Sequence, residues 1–395
     1  MSSGHAITGA AVANCLGADT GAVFEHAFAG TELFSPAGAF FAFPFPTVLG
    51  VMPALGSSDA ELPGCTSTRL STVALASARQ LRPAVHAARE RWGANRIGYV
   101  FASSTGGLEE TERTIAPSAQ MPVTTPGYRY ADHAIDATSS AIASYLGAEG
   151  VVMAVSTACS SSFKALASAI RLIDHGLADA VVVGSADSLC RTTVFGFHSL
   201  GLLAPTATQP FSRDRAGITL GEGSAFLLIE RAAEVSRPHA IAWLSGHGAA
   251  SDAFHHTSPH PEGLGGQLCM REAIERAGLV PDAIDCVSAH GTGTRLNDAA
   301  EAIAVNRVFA RAVPLTATKS LTGHTLGSAG LTSLALAIES LRRQEIPASL
   351  RATPVDAELG VAVVEHRIAT RLQHVLVNAF GFGGSNASVI VSRRA

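Results

Sequence analysis

A layered α/β fold of two similar halves is what this chain of 395 residues predicts, on three observations. Short apolar, β-branched runs alternate with helix-length amphipathic ones, the pattern of buried strands under helical layers. The length exceeds that at which single cores usually stop growing, so two domains or one duplicated domain is expected. Finally, "ALASAIRLI" (165–173) and "SLALAIESL" (333–341), 168 positions apart, share Leu, Ala, Ala and Ile at matching places. Such self-similarity is what an internal duplication leaves.

Strands are expected at 96–103, 179–186, 224–230, 284–290, 374–380 and 387–392. Each is a short run rich in Val, Ile and Leu bounded by turn residues. Helices are expected where apolar residues recur at three and four, over 161–175, 265–277, 298–309 and 327–343. A boundary falls near residue 240, where polar residues and Pro238 interrupt the apolar pattern, giving halves 1–240 and 241–395.

Composition narrows the function. With 47% hydrophobic and 15% charged residues and 38 glycines, the chain sits with α/β enzymes rather than disordered or fibrous proteins. A net charge of -4 without a basic block or stripe argues against nucleic acid and anionic membrane as partners. The six cysteines fall without CxxC or His-spaced pairs, which argues against a metal site or disulfide scaffold and for a reducing, cytoplasmic setting. No basic leader precedes an apolar core and no apolar run reaches about 18 residues, so neither a targeting segment nor a membrane span is expected.

Four stretches carry chemistry. In "VSTACSSS" (155–162), Cys159 stands where a hydrophobic run meets a helix start, where exposed N–H groups and the helix dipole favour a thiolate. A lone cysteine is more often a packed, inert thiol, and from this stretch alone both readings stand. In "SAHGTGTRLND" (288–298) a strand delivers His290 to a Gly/Thr turn; "GTG" lacks both the Walker and the dinucleotide spacing, so no nucleotide site is read there. "TKSLTGHTLGSAG" (318–330) sets Lys319 five residues before His324 in a small-residue turn, a pattern equally open to a solvated lysine and an incidental histidine. "VNAFGFGGSNASVIV" (377–391) breaks a strand with glycines and with Phe380 and Phe382; it reads either as a donor loop facing a substrate oxygen or as a hairpin with a wide turn.

Together and in this order, these stretches resemble the β-ketoacyl-acyl-carrier-protein synthases, condensing enzymes of the thiolase-like fold, over nearly the whole chain. "QPFSRDRAGITLGEGSAFLLIE" (209–230) and "SDAFHHTSP" (251–259) are similar to two further family segments, with Ser212 where Asp is common. The resemblance implies an internally duplicated α-β-α-β-α architecture. It makes Cys159 the acyl-accepting nucleophile, His290 and His324 the histidine pair of the elongating branch, Lys319 its lysine, and Glu301 the acidic residue that pairs with that lysine. It assigns the oxyanion hole to the backbone N–H groups at Cys159 and Phe382, the gate to Phe380 and Phe382, pantetheine binding to Thr292 and Thr294, and acyl-pocket depth to Thr105.

By the same resemblance the enzyme needs no resident cofactor or metal, because phosphopantetheine arrives on the acyl carrier protein. Its reaction is decarboxylative Claisen condensation of malonyl-carrier protein with a Cys-bound acyl chain, in fatty-acid or polyketide-like synthesis such as aryl polyene formation. Gly293, where housekeeping synthases often have Ser, points toward the polyketide-like side. A homodimer is implied, with a heterodimer beside a chain-length-factor-like subunit as the second arrangement. Two other functions stay open: a non-condensing partner subunit, and a thioester acyltransferase or hydrolase.

Overall fold

The computed structural model describes residues 5–55, 62, 65, 67–115, 127–232 and 239–393. Eleven strands form one sheet. In chain order they are β1 (His5–Asn14), β2 (Ile97–Ala102), β3 (Val152–Val155), β4 (Ala180–Asp187), β5 (Gly223–Arg231), β6 (Ala242–Ser251), β7 (Cys286–Ser288), β8 (Pro314–Thr316), β9 (Ala362–Val363), β10 (His374–Gly381) and β11 (Ser385–Ser392). Across the sheet they run β9-β8-β7-β10-β11-β6-β1-β5-β4-β2-β3.

The duplication is visible in this order. From β1 the first half runs β1-β5-β4-β2-β3, and from β6 the second runs β6-β11-β10-β7-β8, with β9 added at its edge. Both halves pair antiparallel, antiparallel, parallel, parallel along those series. Within the sheet, among the described residues, the two halves are joined by the pairing of His5–Ile7 with Ala242–Leu244. The repeat changes over between Arg231 and Ala242; Pro238 lies outside the described residues.

Period-2 alternation makes three cores from these strands. Val181 and Val183 of β4 face the middle of the molecule with Val375 and Val377 of β10. There the helices Ser161–Asp174 and Ala329–Arg343, the pair matched by the 168-residue overlay, pack on each other. Val182, with Tyr99 and Phe101, faces outward under the helices Arg69–Trp92 and Ile135–Leu146. Leu376 and Ile390 do the same in the second half, under Leu264–Arg276 and Arg295–Val308. Helices, half-sheet, helices, half-sheet, helices are therefore the layers expected of a thiolase-like fold.

Strand β6 escaped the sequence pattern for a steric reason. A Cβ at Gly246 would lie 2.1 Å from the Ala273 carbonyl oxygen, and one at Gly248 2.1 Å from that of Cys269. The strand needs glycine at alternate positions for the helix Leu264–Arg276 to lie directly on it, which removes the apolar side chains that would have marked it. In the outer core of the first half, the Tyr99 hydroxyl is buried with no hydrogen-bond partner among the described residues. Burying an unbonded hydroxyl costs about 1–3 kcal/mol. Tyr99→Phe is accordingly expected to stabilise the protein by about 1 kcal/mol, read as a higher urea midpoint at unchanged slope.

Candidate active site

Cys159 lies beyond the end of β3, one residue before Ser160, which caps the helix Ser161–Asp174. The turn is tight: Ala158 takes a left-handed φ of 53°, and its carbonyl oxygen accepts hydrogen bonds from the hydroxyls of Ser104 (2.9 Å) and Ser161 (2.5 Å). Gly381 packs on this turn, since a Cβ there would lie 3.2 Å from both the Ser160 nitrogen and the Thr157 oxygen. The backbone N–H groups of Phe382 and Cys159 thereby meet the thiol.

His290 follows β7 by two residues, and Glu301 on the helix Arg295–Val308 fixes its backbone. The two carboxylate oxygens accept the N–H groups of His290 (2.7 Å) and Gly291 (2.8 Å), and Asn378 Nδ2 donates to Oε1 at 3.0 Å. Lys319 does not pair with Glu301 as the resemblance implied. Its Nζ donates to the His290 carbonyl oxygen at 2.5 Å and lies 3.2 Å from His290 Nδ1. Glu301 therefore orients the histidine's backbone and acts on the lysine only through its charge.

His324 is pinned on both sides: its N–H donates to the Thr219 oxygen (2.7 Å) and its carbonyl oxygen accepts from Gly221 N–H (3.0 Å). Its Nδ1 accepts the Leu326 N–H at 3.1 Å, so the ring proton resides on Nε2. The Lys319 ammonium at Nδ1 selects the same tautomer in His290. The rings stand edge to face, centroids 5.3 Å apart. Burial, reinforced by the Lys319 charge, pushes both imidazoles well below the ordinary histidine range, and the pair is neutral at pH 7.

Side-chain burial is near complete, with Cys159 7%, His290 3%, Lys319 2% and His324 1% exposed. This corrects the expected thiolate. Desolvation lifts the Cys159 thiol to about 11, with Lys319 pulling it down and Asp187 pushing it up. The same burial lowers Lys319 to about 8.

Cys159, His290 and His324 open on one cavity of about 180 Å³. Thr292 and Thr294 line it, as do Phe380 and Phe382. The two threonine hydroxyls, 3.0 Å apart, are buried rather than in a solvated turn. Thr257, Ser258 and Pro259 of "SDAFHHTSP" complete the rim, and Asp252 N–H donates to the Gly384 oxygen at 2.9 Å. Thr105 does not line this cavity; its hydroxyl donates to Asp187 Oδ1 at 2.9 Å. Sequence reading missed Asp187, Asn378 and the apolar wall of Phe197, Leu200, Leu202 and Ile218. The only sign of Asp187 was an acid closing the apolar and small-residue run "AVVVGSAD" (180–187). Ser212 holds its turn through a bond to the Pro354 oxygen (3.3 Å) and one from Asp214 N–H (3.2 Å).

Two family models match this chain, the beta-ketoacyl synthase N-terminal domain over residues 66–235 and its C-terminal domain over 241–353. The chain is 32% identical to 3-oxoacyl-[acyl-carrier-protein] synthase 2 of Vibrio cholerae serotype O1 over 323 residues, 76% of each chain. It is 28% identical to the enzyme of that name from Coxiella burnetii over 410 residues, 98% of each. Among solved structures, a ketosynthase in complex with its chain length factor from Xenorhabdus doucetiae superposes with a TM-score of 0.89 at 34% identity, covering 99% of this chain and 98% of that one. Fold and relatives define an acyltransferase of the condensing-enzyme class. The chain belongs to the β-ketoacyl-acyl-carrier-protein synthase family.

Proposed function

We propose that Cys159 takes an acyl chain from an acyl-carrier-protein thioester and that His290 and His324 then drive decarboxylation of malonyl-carrier protein beside it. The observation that carries this reading is the pair of neutral imidazoles, each held with its proton on Nε2, sharing a cavity with a thiol against two backbone N–H groups. In the first half-reaction sulfur attacks the thioester, the Cys159 N–H and Phe382 N–H receive the oxyanion, and the thiol proton leaves with the carrier's pantetheine sulfur. Such donors contribute about 3 kcal/mol each.

In the second, loss of CO2 leaves a thioester enolate whose oxygen accepts the two Nε2–H bonds. Its carbon attacks the acyl carbonyl, the C–S bond to Cys159 breaks, and the sulfur regains a proton from water. A protonated imidazole would quench the enolate carbon; a neutral one donates without that loss. Pantetheine reaches the site on the carrier protein, with Thr292 and Thr294 offering hydroxyls to its amides and Phe380 and Phe382 at the gate.

The acyl-chain product belongs to fatty-acid or polyketide-like synthesis, in the reducing cytoplasm that six scattered cysteines suit. The X. doucetiae relative supports the polyketide-like side, as does Gly293. It also supports a dimer with a chain-length-factor-like subunit over a homodimer. Edge strand β3 offers such a surface, with Val152 and Met153 exposed. Native mass spectrometry of the chain alone and with a co-expressed homologue lacking the cysteine is expected to show the mixed dimer; a homodimer that refuses exchange selects the other arrangement.

The reaction itself is tested by intact-protein mass spectrometry after mixing with acyl-carrier-protein thioesters and chasing with malonyl-carrier protein. An acyl adduct at Cys159 that disappears into ketoacyl product is expected. A well-folded protein that takes no acyl group from any donor would sink this reading in favour of a non-condensing subunit. Release of free acid without CO2 would favour a hydrolase.

A further inference from the structure

Asp187, the last residue of β4, is a fully buried carboxylate that the steps above do not use. Its Oδ1 accepts four hydrogen bonds, all from one three-residue loop: the Ser103 hydroxyl (2.8 Å), the Ser104 N–H (2.8 Å), and the Thr105 N–H (2.8 Å) and hydroxyl (2.9 Å). Its Oδ2 is buried with no hydrogen-bond partner among the described residues. The loop is tied onward to the nucleophile, because the Ser104 hydroxyl holds the carbonyl of Ala158, whose left-handed backbone precedes Cys159. Gly327 closes the third side, where a Cβ would come within 2.8 Å of both Asp187 Oδ2 and Ser104 Oγ.

Anchoring the loop needs one acceptor atom, and one oxygen takes all four bonds. The second oxygen and the negative charge are left over, and burying them costs free energy that an amide or hydroxyl would avoid. The groups that act electrostatically on the Cys159 sulfur are few. Lys319 pulls its proton off, as do the Phe382 and Cys159 N–H groups; Asp187 holds it on; His290 and His324 are neutral. Burial lifts the Asp187 carboxyl to about 6, so at pH 7–8 its charge is present.

We propose that Asp187 is a positioning residue of the acylation half-reaction: through Oδ1 it sets the Ser103–Thr105 loop and the Cys159 turn together, and through its charge it opposes Lys319 at the sulfur. This rests on Cys159 being the acyl acceptor. The consequence is a resting thiol guarded from alkylation and oxidation, whose proton is given up only when a thioester is in place to release a carrier thiol.

Asp187→Asn keeps the shape and the Oδ1 acceptor while removing the charge; Asp187→Ala removes both. The readouts are the pH dependence of iodoacetamide labelling at the Cys159 peptide, followed by mass spectrometry, and the ranking of acyl-carrier-protein donors by chain length. For Asp187→Asn the labelling curve is expected to move to lower pH, a displacement of one pH making labelling at pH 8 about tenfold faster, and the donor ranking is kept. For Asp187→Ala the ranking is expected to flatten and acylation to slow at least about tenfold, the loss of one well-placed interaction. A folded Asp187→Asn protein whose labelling curve superimposes on the native one overturns the proposal, as does an Asp187→Ala protein with native ranking and rate. Labelling needs no acyl donor, so failure of Cys159 to accept any acyl group is seen separately from failure of Asp187 to act on the thiol.

Discussion

Cys159→Ala is expected to abolish acyl transfer to the protein, by more than about a thousandfold, while the melting temperature changes by only a few degrees. The reason is a division of labour in the site. Cys159 carries the one thiol among the described residues that line the cavity, but the turn that carries it is held by other groups: the Ser104 and Ser161 hydroxyls on the Ala158 carbonyl, and Gly381 against the Thr157–Ser160 backbone. Removing one buried sulfur from such a frame leaves a small cavity, worth about 1 kcal/mol. Intact mass after incubation with an acyl-carrier-protein thioester checks the first half, and a thermal melt the second. A Cys159→Ala protein still acylated at the native rate would mean that another group is the nucleophile.

The same thiol has a pH signature. With its proton held to about 11, the thiolate fraction rises tenfold per pH unit through the neutral range, and iodoacetamide labelling of native Cys159 should rise with it, without a plateau. Lys319, lowered to about 8, is charged below that pH and neutral above it. Its charge favours the thiolate, so its loss raises the thiol further and the slope should fall below tenfold per unit above pH 8. A curve that plateaus near pH 7 would mean a resting thiolate, contrary to the burial of the sulfur.

How much of this was legible in the sequence follows from which interactions leave a local mark. Strands β4, β10 and β11, and the helices Ser161–Asp174 and Ala329–Arg343, are read easily because their burial is written as apolar periodicity. Strand β6 is not, because its contact with a helix backbone requires glycine at Gly246 and Gly248. The helix Arg69–Trp92 was hidden because Ala and Ser alternate with Leu70, Val73, Leu81 and Val85 on its buried face and Pro83 stands inside it. At the site, Cys159, His290, Lys319 and His324 were named from motifs, and the fold brings all four together. What motifs do not carry is partner choice. Lys319 on His290 rather than Glu301, Asp187 under Thr105, and a thiol raised rather than lowered all depend on groups distant in the chain or on burial, neither of which a linear pattern records.

His324→Ala separates the two half-reactions. In the proposed mechanism acylation draws on Cys159 and the backbone N–H groups at Cys159 and Phe382, none of which the imidazole supports: its Nδ1 accepts the Leu326 N–H, while the bonds to Thr219 and Gly221 belong to the His324 backbone and survive truncation. The variant should therefore accept acyl groups near the native rate. Decarboxylation loses one of two donors to the enolate oxygen, a change that costs about 100- to 1,000-fold elsewhere. The acyl adduct should consequently persist on Cys159 after malonyl-carrier protein is added, with CO2 release falling by that factor. His324→Gln, whose side-chain amide places an N–H near the position of Nε2, should recover part of the rate, as a weaker donor in the same place would. Truncation also leaves the buried Leu326 N–H without its acceptor, at about 1–3 kcal/mol, so the melting temperature should fall in His324→Ala independently of chemistry. Should His324→Ala instead fail to take up acyl groups while remaining folded, His324 would belong to the first half-reaction, and the enolate would rest on His290 alone.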